Sequence, residues 1–279
     1  MPSVRVAGGG RSGLVACGRE TGVVLPPQVL PRLRAFADAL DRDAPGRLAG
    51  LYAVGSAALG DFRPPLSNLD VIAAADTSWD EGSLLAVRAA LAALRQPGER
   101  PRVACVTWDQ LASDPAEVDA PGFVGRDRVP GGDLVNPLSW AVLRSAAVCV
   151  RGDEYPQLGR GELRAWAADR LVGWWAEWLA RVHPGPLLLR RNIAEPVLEV
   201  ARLEQIVGSG RVVSKLEAGE VTEGSGPPNR QRTLKDSVGY RRGARMSMYW
   251  GPYERRRHGL AYIRSTIEAI SAGAVPGEG

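Results

Sequence analysis

The sequence predicts an α+β protein in which a small mixed sheet with flanking helices precedes a helical bundle. Strand-like and helix-like patterns alternate between about residues 27 and 107, which is typical of a mixed α/β domain. From about residue 135 onward the apolar spacing is helical, which indicates a bundle packed beside that domain. The chain has 279 residues, 45% of them hydrophobic, enough for one large domain or two modest ones.

The elements of the first half follow from apolar spacing and from turn residues. Apolar residues at helical spacing predict a helix from Pro27 to Asp43, and Pro45 and Gly46 end it. Three apolar runs predict buried strands, and a second helical pattern lies between the last two. In chain order we expect a strand over residues 48–54, a strand over 69–75, a helix over 84–94 and a strand over 103–107.

The second half reads as helices alone, and we expect no strand after about residue 135. Segments with helical periodicity span residues 137–147, 162–181, 187–207, 231–241 and 253–271. We therefore divide the chain into a flexible leader (residues 1–25), an α/β domain (26–150) and a C-terminal helical domain (151–279). The glycines of residues 8–13 lack the spacing of a phosphate-binding P-loop, so we assign them to the leader.

Composition restricts the classes of partner. The net charge of +4 suits a phosphate-bearing ligand but is too small to indicate nucleic acid. No run of about 18 apolar residues exists, so we expect no membrane span. Cys17, Cys105 and Cys149 are few and widely spaced, which is typical of reduced, buried thiols. We expect a cytoplasmic protein that binds a small molecule and contacts neither nucleic acid nor membrane.

The segment from residue 51 to residue 75 contains side chains suited to phosphoryl chemistry. Gly55 and Ser56 directly follow a predicted strand, and Asp70 opens the next. A glycine lets the backbone approach a phosphate closely, and a serine adds a hydroxyl donor. A carboxylate on the neighbouring strand can hold Mg²⁺, which neutralises a polyphosphate and orients the attacking oxygen.

This segment resembles the nucleotidyltransferase signature of the polymerase beta-like superfamily, and the aminoglycoside adenylyltransferases most closely. Their members tend to read Gly-Ser-x-Ala-Leu-Gly-Asp-Phe-x-Pro and then Ser-Asp-x-Asp. The positions that fit are Gly55, Ser56, Ala58, Leu59, Gly60, Asp61, Phe62, Pro64, Ser67 and Asp70. Further similarities at residues 136–140, 200–203 and 210–215 extend the resemblance over roughly residues 28–272. It implies a nucleotidyltransferase fold with the ligands in a cleft between the two domains.

The resemblance also implies roles for residues beyond this motif. An arginine and a lysine of the family's C-terminal block reach the ATP phosphates, and they correspond to Arg202 and Lys215; Lys215 is one of two lysines in the chain. Asn192 and Glu195 lie where relatives contact the drug. Trp175, one of four tryptophans in one predicted helix, could stack on a sugar or an adenine or could pack in the core.

Two positions depart from the family pattern. The sequence has Asn68-Leu69-Asp70 where the family has Asp-x-Asp, and an asparagine oxygen ligates a cation without adding charge. The position of the family's third carboxylate, a general base, corresponds to Arg102, which cannot accept a proton at neutral pH. Asp70, with help from Asn68, would then form the residual metal or acid–base site, and ATP and Mg²⁺ are its possible cofactors.

Three functions remain open. In the first, the protein is an active adenylyltransferase in which Asp70 and Asn68 hold one Mg²⁺ and Asp61, Glu99 or Asp76 replaces the base. In the second, which we adopt, the scaffold acts on a small metabolite by another reaction, in specialised metabolism or antibiotic resistance, with Asp70 as acid or base. In the third, the protein binds a nucleotide or metabolite without catalysis.

Overall fold

The structure is a computed structural model that describes residues 25–64, 66–153 and 156–273. All of the expected leader except Leu25, including Cys17, lies outside the described residues. The described residues form an α+β structure with one mixed sheet, flanking helices and a helical C-terminal region. No helix in these ranges is both long enough and apolar enough to cross a membrane.

Six strands form one sheet in the order β5-β4-β3-β2-β1-β6. They are β1 (Gly50–Val54), β2 (Asp70–Ala75), β3 (Arg102–Thr107), β4 (Pro121–Val124), β5 (Asp127–Pro130) and β6 (Val148–Arg151). Strands β2 and β3 run parallel, and every other neighbouring pair runs antiparallel. In the parallel register Asp70 lies opposite Arg102, so the first residues of both strands stand side by side at one edge.

Helices cover both faces of the sheet and make up the C-terminal region. They are α1 (Val29–Asp43), α2 (Gly55–Ala58), α3 (Glu81–Leu94), α4 (Trp108–Ala112), α5 (Pro137–Ser145), α6 (Leu163–Arg170), α7 (Ala176–Arg181), α8 (Arg190–Ser209), α9 (Lys215–Thr222), α10 (Pro228–Arg241) and α11 (Pro252–Ser271). A π-helical turn over Leu171–Trp175 joins α6 to α7, so the expected helix over residues 162–181 is continuous but contains a widened turn.

The first half of the chain follows the sequence-based prediction within three residues at each element boundary for α1, β1, β2, α3 and β3. These strands read as continuous apolar runs because both faces of the sheet are covered. On one face, Leu51 and Val71 pack with Phe36 of α1, in a core cluster that also includes α3. On the other face, Tyr52 and Ile72 belong to a cluster that continues into the C-terminal helices.

The expectation of no strand after residue 135 is wrong. Strand β6 pairs antiparallel with β1 and spans the boundary that we expected at residue 150. The hairpin of β4 and β5 was also missed, because four-residue strands are too short to display a period. Their two-residue turn begins at Gly125, whose φ of +65° favours glycine. Helix α9 was not predicted either. The two-domain division itself stays a prediction.

Helix α9 lies close to its neighbours because it contains a glycine at the contact. A Cβ at Gly219 would lie 2.6 Å from Leu198 Cδ2 on α8 and 2.7 Å from Val238 Cγ2 on α10. Both of those side chains are buried, so neither has free space to move into. Glycine is a poor helix former, and here it allows the close approach that positions α9 and its first residue, Lys215.

We expect Gly219→Ala to lower the free energy of unfolding by about 1–3 kcal/mol, because overpacking outweighs the gain in helix propensity. The matched control is Gly82→Ala in the first turn of α3, where the nearest atom to a new Cβ is 3.6 Å away. That variant should be neutral or more stable by up to about 1 kcal/mol. Urea unfolding followed by circular dichroism measures both, and equal effects would contradict the close packing at α9.

Candidate ligand-binding cleft

A cleft of about 480 Å³ lies where β1 ends and β2 begins, and helices α8, α9 and α10 close its other side. Side chains of both signs line it. The acidic ones are Asp61, Asp70, Asp133, Glu195 and Glu199, and the basic ones are Arg102, Arg170, Arg202, Lys215 and Arg241. The formal charge of the lining is therefore zero.

The floor of the cleft begins at Gly55, directly after β1. We expected Gly55 and Ser56 to break the strand, and they do so as the first residues of the short helix α2. Gly55 has a φ of +61°, and a Cβ there would collide with the Asp70 carboxylate. Only glycine therefore fits this position. The close approach holds Asp70 against the α2 backbone, and Ser56 lines the cleft beside it.

Asp70 and Arg102 form a two-bond ion pair at the start of the parallel strands. The Arg102 Nε donates to Asp70 Oδ1 and its Nη2 donates to Oδ2, both at 2.7 Å. The Asp70 side chain is 8% exposed and that of Arg102 is 29% exposed. The carboxylate raises the pKa of Arg102 well above its ordinary value, although burial opposes this change. Arg102 therefore stays charged, and both oxygens of Asp70 already have a donor.

Asn68 also uses its side-chain oxygen within the protein. Its Oδ1 accepts a hydrogen bond of 3.2 Å from the backbone N–H of Arg100, which links the segments that lead into β2 and β3. Within the described ranges, no three His, Cys, Asp or Glu side chains are placed to hold a metal ion together. Mg²⁺ is usually held by one or two carboxylates together with waters and substrate phosphates. The present side-chain arrangement fits it poorly, because Asp70 is paired with Arg102 and Asn68 carries no charge. The assignment of Asp70 and Asn68 as metal ligands stays a prediction.

The three carboxylates that we considered as replacement bases are all engaged elsewhere. Asp61 reaches the cleft, but its side chain is paired with Arg241. Glu99 accepts a bond of 2.5 Å from Arg32 and does not line the cleft. Asp76 accepts a bond of 2.9 Å from the Trp108 indole, on a separate surface.

The two predicted phosphate-binding cations, Arg202 and Lys215, belong to one chain of ion pairs with alternating charges. It runs in the order Arg202, Glu199, Lys215, Glu195, Arg241 and Asp61. Glu199 bridges the two predicted cations: it pairs with Arg202 and lies 3.2 Å from Lys215 Nζ. Arg202 and Lys215 thus stand together at the cleft, 13 positions apart in the chain.

Arg241 connects this chain to the first half of the protein. Its Nε donates to Asp61 Oδ2 at 2.8 Å and its Nη1 donates to Glu195 Oε1 at 2.8 Å. Its Nη2 contacts the Asp61 carbonyl at 3.1 Å and the Ser67 hydroxyl at 3.3 Å. The side chains of Arg241 and Asp61 are 2% and 3% exposed. Sequence reasoning missed Arg241 because no local pattern marks a partner 180 positions away.

Two of the three predicted substrate residues lie at the cleft and the third does not. Glu195 and Trp175 line the cleft. Asn192 does not: its Nδ2 donates to the Pro186 carbonyl at 2.8 Å, outside the cleft. The π-helical turn also brings Trp174 to the cleft wall, 44% exposed, with the Arg170 guanidinium 4.7 Å from its ring centroid. Arg170 was not predicted as a cleft residue.

The six-stranded mixed sheet with its helical C-terminal region matches the fold of a solved nucleotidyltransferase. The comparison that shows this is with a solved structure, spectinomycin adenyltransferase AAD(9) from Enterococcus faecialis with ATP and spectinomycin. The TM-score is 0.62 at 14% identity, and the match covers 85% of this chain and 98% of that chain. No family model matches the sequence. No curated protein matches it either. The similarity confirms the predicted fold, and the roles of individual residues stay predictions.

We expect Arg241→Met to lower the free energy of unfolding by about 3 kcal/mol, because Asp61 then stays buried with only the partly exposed Arg63, 3.5 Å away, to offset its charge. The matched control is Arg242→Met, which breaks the pair between Arg242, 59% exposed, and Glu220. Exposed pairs contribute about 0–1 kcal/mol. Urea unfolding curves of the two variants should differ accordingly, and a mild effect of Arg241→Met would show that the buried pair does not hold the cleft together.

A pH dependence follows from Glu199. Burial raises its pKa, but Arg202 and Lys215 together outweigh burial and lower it to about 2, from an ordinary 4.5. Because the folded-state value is the lower one, Glu199 stabilises the fold above about pH 4.5, and this contribution is lost as the pH falls toward 2. We expect Glu199→Gln to cost about 3 kcal/mol at pH 6 and progressively less at lower pH. Unfolding curves of wild type and variant at several pH values check this. If the difference in their free energies of unfolding does not shrink as the pH falls, the prediction is wrong.

Proposed function

We propose that the cleft binds ATP together with a small hydroxyl- or amine-bearing metabolite, and that the protein acts on the metabolite by a reaction other than Mg²⁺-dependent adenylyl transfer. The observation that carries this proposal is the ion pair of Asp70 and Arg102, because it engages both oxygens of the one carboxylate that stands beside Gly55. A metal ion would have to compete with the Arg102 guanidinium for both oxygens of this carboxylate.

The nucleotide half of the proposal rests on groups that converge on one cleft. Gly55 and Ser56 approach from the sheet side, and Arg202 and Lys215 approach from the helical side. A serine hydroxyl and fixed cations are groups that contact phosphates and stabilise their charge. AAD(9), which has the same fold, was solved with ATP and spectinomycin.

The charge of the cleft bears on the second substrate. A polycationic aminoglycoside needs an excess of unpaired carboxylates, whereas Glu195 and Glu199 are both paired with cations here. A metabolite with little net charge therefore fits better. It would bind near Trp174 and Trp175, whose rings offer apolar faces to a sugar or a flat ring. We place this activity in the cytoplasm, in specialised metabolism or antibiotic resistance.

Asp70 is the residue through which proton transfer would run in this proposal. An ionised carboxylate offers about four acceptor sites, and Arg102 uses two of those of Asp70. The remaining sites can accept a hydrogen bond from a substrate hydroxyl, while Arg102 keeps the carboxylate in one orientation.

A second candidate is Mg²⁺-dependent adenylyl transfer, which the similarity to AAD(9) favours. It would require Arg102 to release Asp70 and Asn68 to turn away from the Arg100 backbone, so that both oxygens become metal ligands. A product screen separates the candidates, because adenylyl transfer releases pyrophosphate and leaves an adenylylated metabolite, whereas the first candidate forms a different product from the metabolite. If ATP binds but the screen detects neither pyrophosphate nor a modified metabolite, a non-catalytic binding protein is favoured instead.

We expect ATP to bind in calorimetric titrations and Lys215→Met to weaken binding about 10- to 100-fold, because a charge-assisted contact is lost. The matched control is Lys235→Met, since Lys235 is the chain's other lysine and lies exposed outside the cleft. It should leave the dissociation constant unchanged. Titrations with and without Mg²⁺ cover both candidates. Absence of heat in both conditions, with a folded protein, would remove the nucleotide half of the proposal.

A further inference from the structure

Arg102 places a positive charge directly beside Asp70, the carboxylate that the sequence predicted as a metal ligand. It is the first residue of β3 and stands in register with Asp70, the first residue of β2. Its Nε and Nη2 bind Asp70, and it lines the cleft with 29% of its side chain exposed. Among the residues that the structure describes, its Nη1 has no hydrogen-bond partner. A guanidinium has five N–H donors, so most of them remain for a ligand.

The geometry fixes this charge in place. The β3 backbone anchors Arg102 at one end, and two parallel bonds to a buried carboxylate hold the guanidinium at the other. A two-bond contact of this kind sets both the position and the plane of the fork. A ligand phosphate would therefore meet a cation that needs no reorganisation on binding.

The same charge disfavours a divalent ion. Asp70 and Arg102 together are neutral and Asn68 carries no charge, so the trio has no net negative charge to attract Mg²⁺. An ion placed at Asp70 would also lie beside the guanidinium and be repelled by it. The neutral side chain at residue 68 and the positive one at residue 102 thus both weaken the attraction of Asp70 for a divalent cation.

We propose that Arg102 takes the part of a divalent metal in this cleft, and that it binds the ligand's phosphate group directly so that binding requires no divalent metal. The identity of the ligand as a nucleotide rests on the proposed function above. The exclusion of metal by Arg102 does not rest on it, and the experiment tests the two separately.

The first arm measures metal binding without nucleotide. Mn²⁺ is titrated into the full chain and free Mn²⁺ is followed by electron paramagnetic resonance. We expect no saturable binding to the wild type and saturable binding to the double variant Asn68→Asp/Arg102→Glu, whose carboxylates can ligate the ion. Saturable binding to the wild type would overturn the proposal. So would a correctly folded double variant that binds no Mn²⁺, because Arg102 and Asn68 would then not be what excludes the metal.

The second arm measures ATP binding by calorimetry in EDTA and in excess Mg²⁺. We expect the wild type to bind ATP in EDTA at least as tightly as with Mg²⁺, and Arg102→Met to weaken binding in EDTA about 10- to 100-fold. Arg102→Lys keeps the positive charge but loses the two-pronged guanidinium, so its affinity for ATP should lie between those of the wild type and Arg102→Met. Arg100→Met, two positions earlier, is the matched control, because the Arg100 side chain is 64% exposed and pairs with Asp127.

The outcomes separate the two proposals. ATP binding that requires Mg²⁺ in the wild type would overturn the role of Arg102 and leave a nucleotide function standing. No ATP binding in either condition would overturn the nucleotide function, and the Mn²⁺ arm would still decide on metal exclusion. Because Arg102→Met leaves Asp70 without a cation, circular dichroism checks its fold, and Arg102→Lys replaces it if it unfolds.

Discussion

Arg241 lies buried between Asp61, which follows α2, and Glu195 on α8, and its guanidinium joins the two halves of the chain. Removing such a charge from water is costly, and only well-placed opposite charges and further hydrogen bonds offset that cost. Arg241 has both, since the Asp61 carbonyl and the Ser67 hydroxyl complete its contacts. This one side chain therefore joins α10 to the loop after α2.

The cleft depends on this junction. Glu195 contacts Arg241 and Lys215 together, so the same contacts that join the halves also orient a predicted phosphate-binding residue. The charges of this chain sum to zero, and each of its three cations is paired with at least one carboxylate. A ligand that enters must exchange one of these pairings or use the donors left over, which favours a specific ligand over a general attraction for polyanions.

The parallel pairing of β2 and β3 imposes the second constraint. It places two residues that are 32 positions apart in direct register, and their side chains form the ion pair of Asp70 and Arg102. Gly55 then has to be a glycine, because the carboxylate occupies the space of a Cβ. A fold similar to that of AAD(9) thus surrounds a site in which carboxylate and guanidinium bind each other. Function in this fold is decided by such a site and not by the fold itself.

The sequence by itself determined the elements whose signal is local. Helix α1 and strands β1 to β3 were predicted because amphipathic spacing and doubly buried apolar runs can be read within about fifteen residues. The Gly55-Ser56 step and Asp70 were found for the same reason, because they adjoin those strands. Lys215 was assigned from the family resemblance, and the rarity of lysine in the chain supported that assignment. Short strands such as β6 lacked that signal. The tertiary structure alone decided that Arg102 binds Asp70, that Arg241 binds Asp61, and that Asn192 lies outside the cleft. Ion pairs of this kind depend on register and packing between distant segments, which no local period encodes.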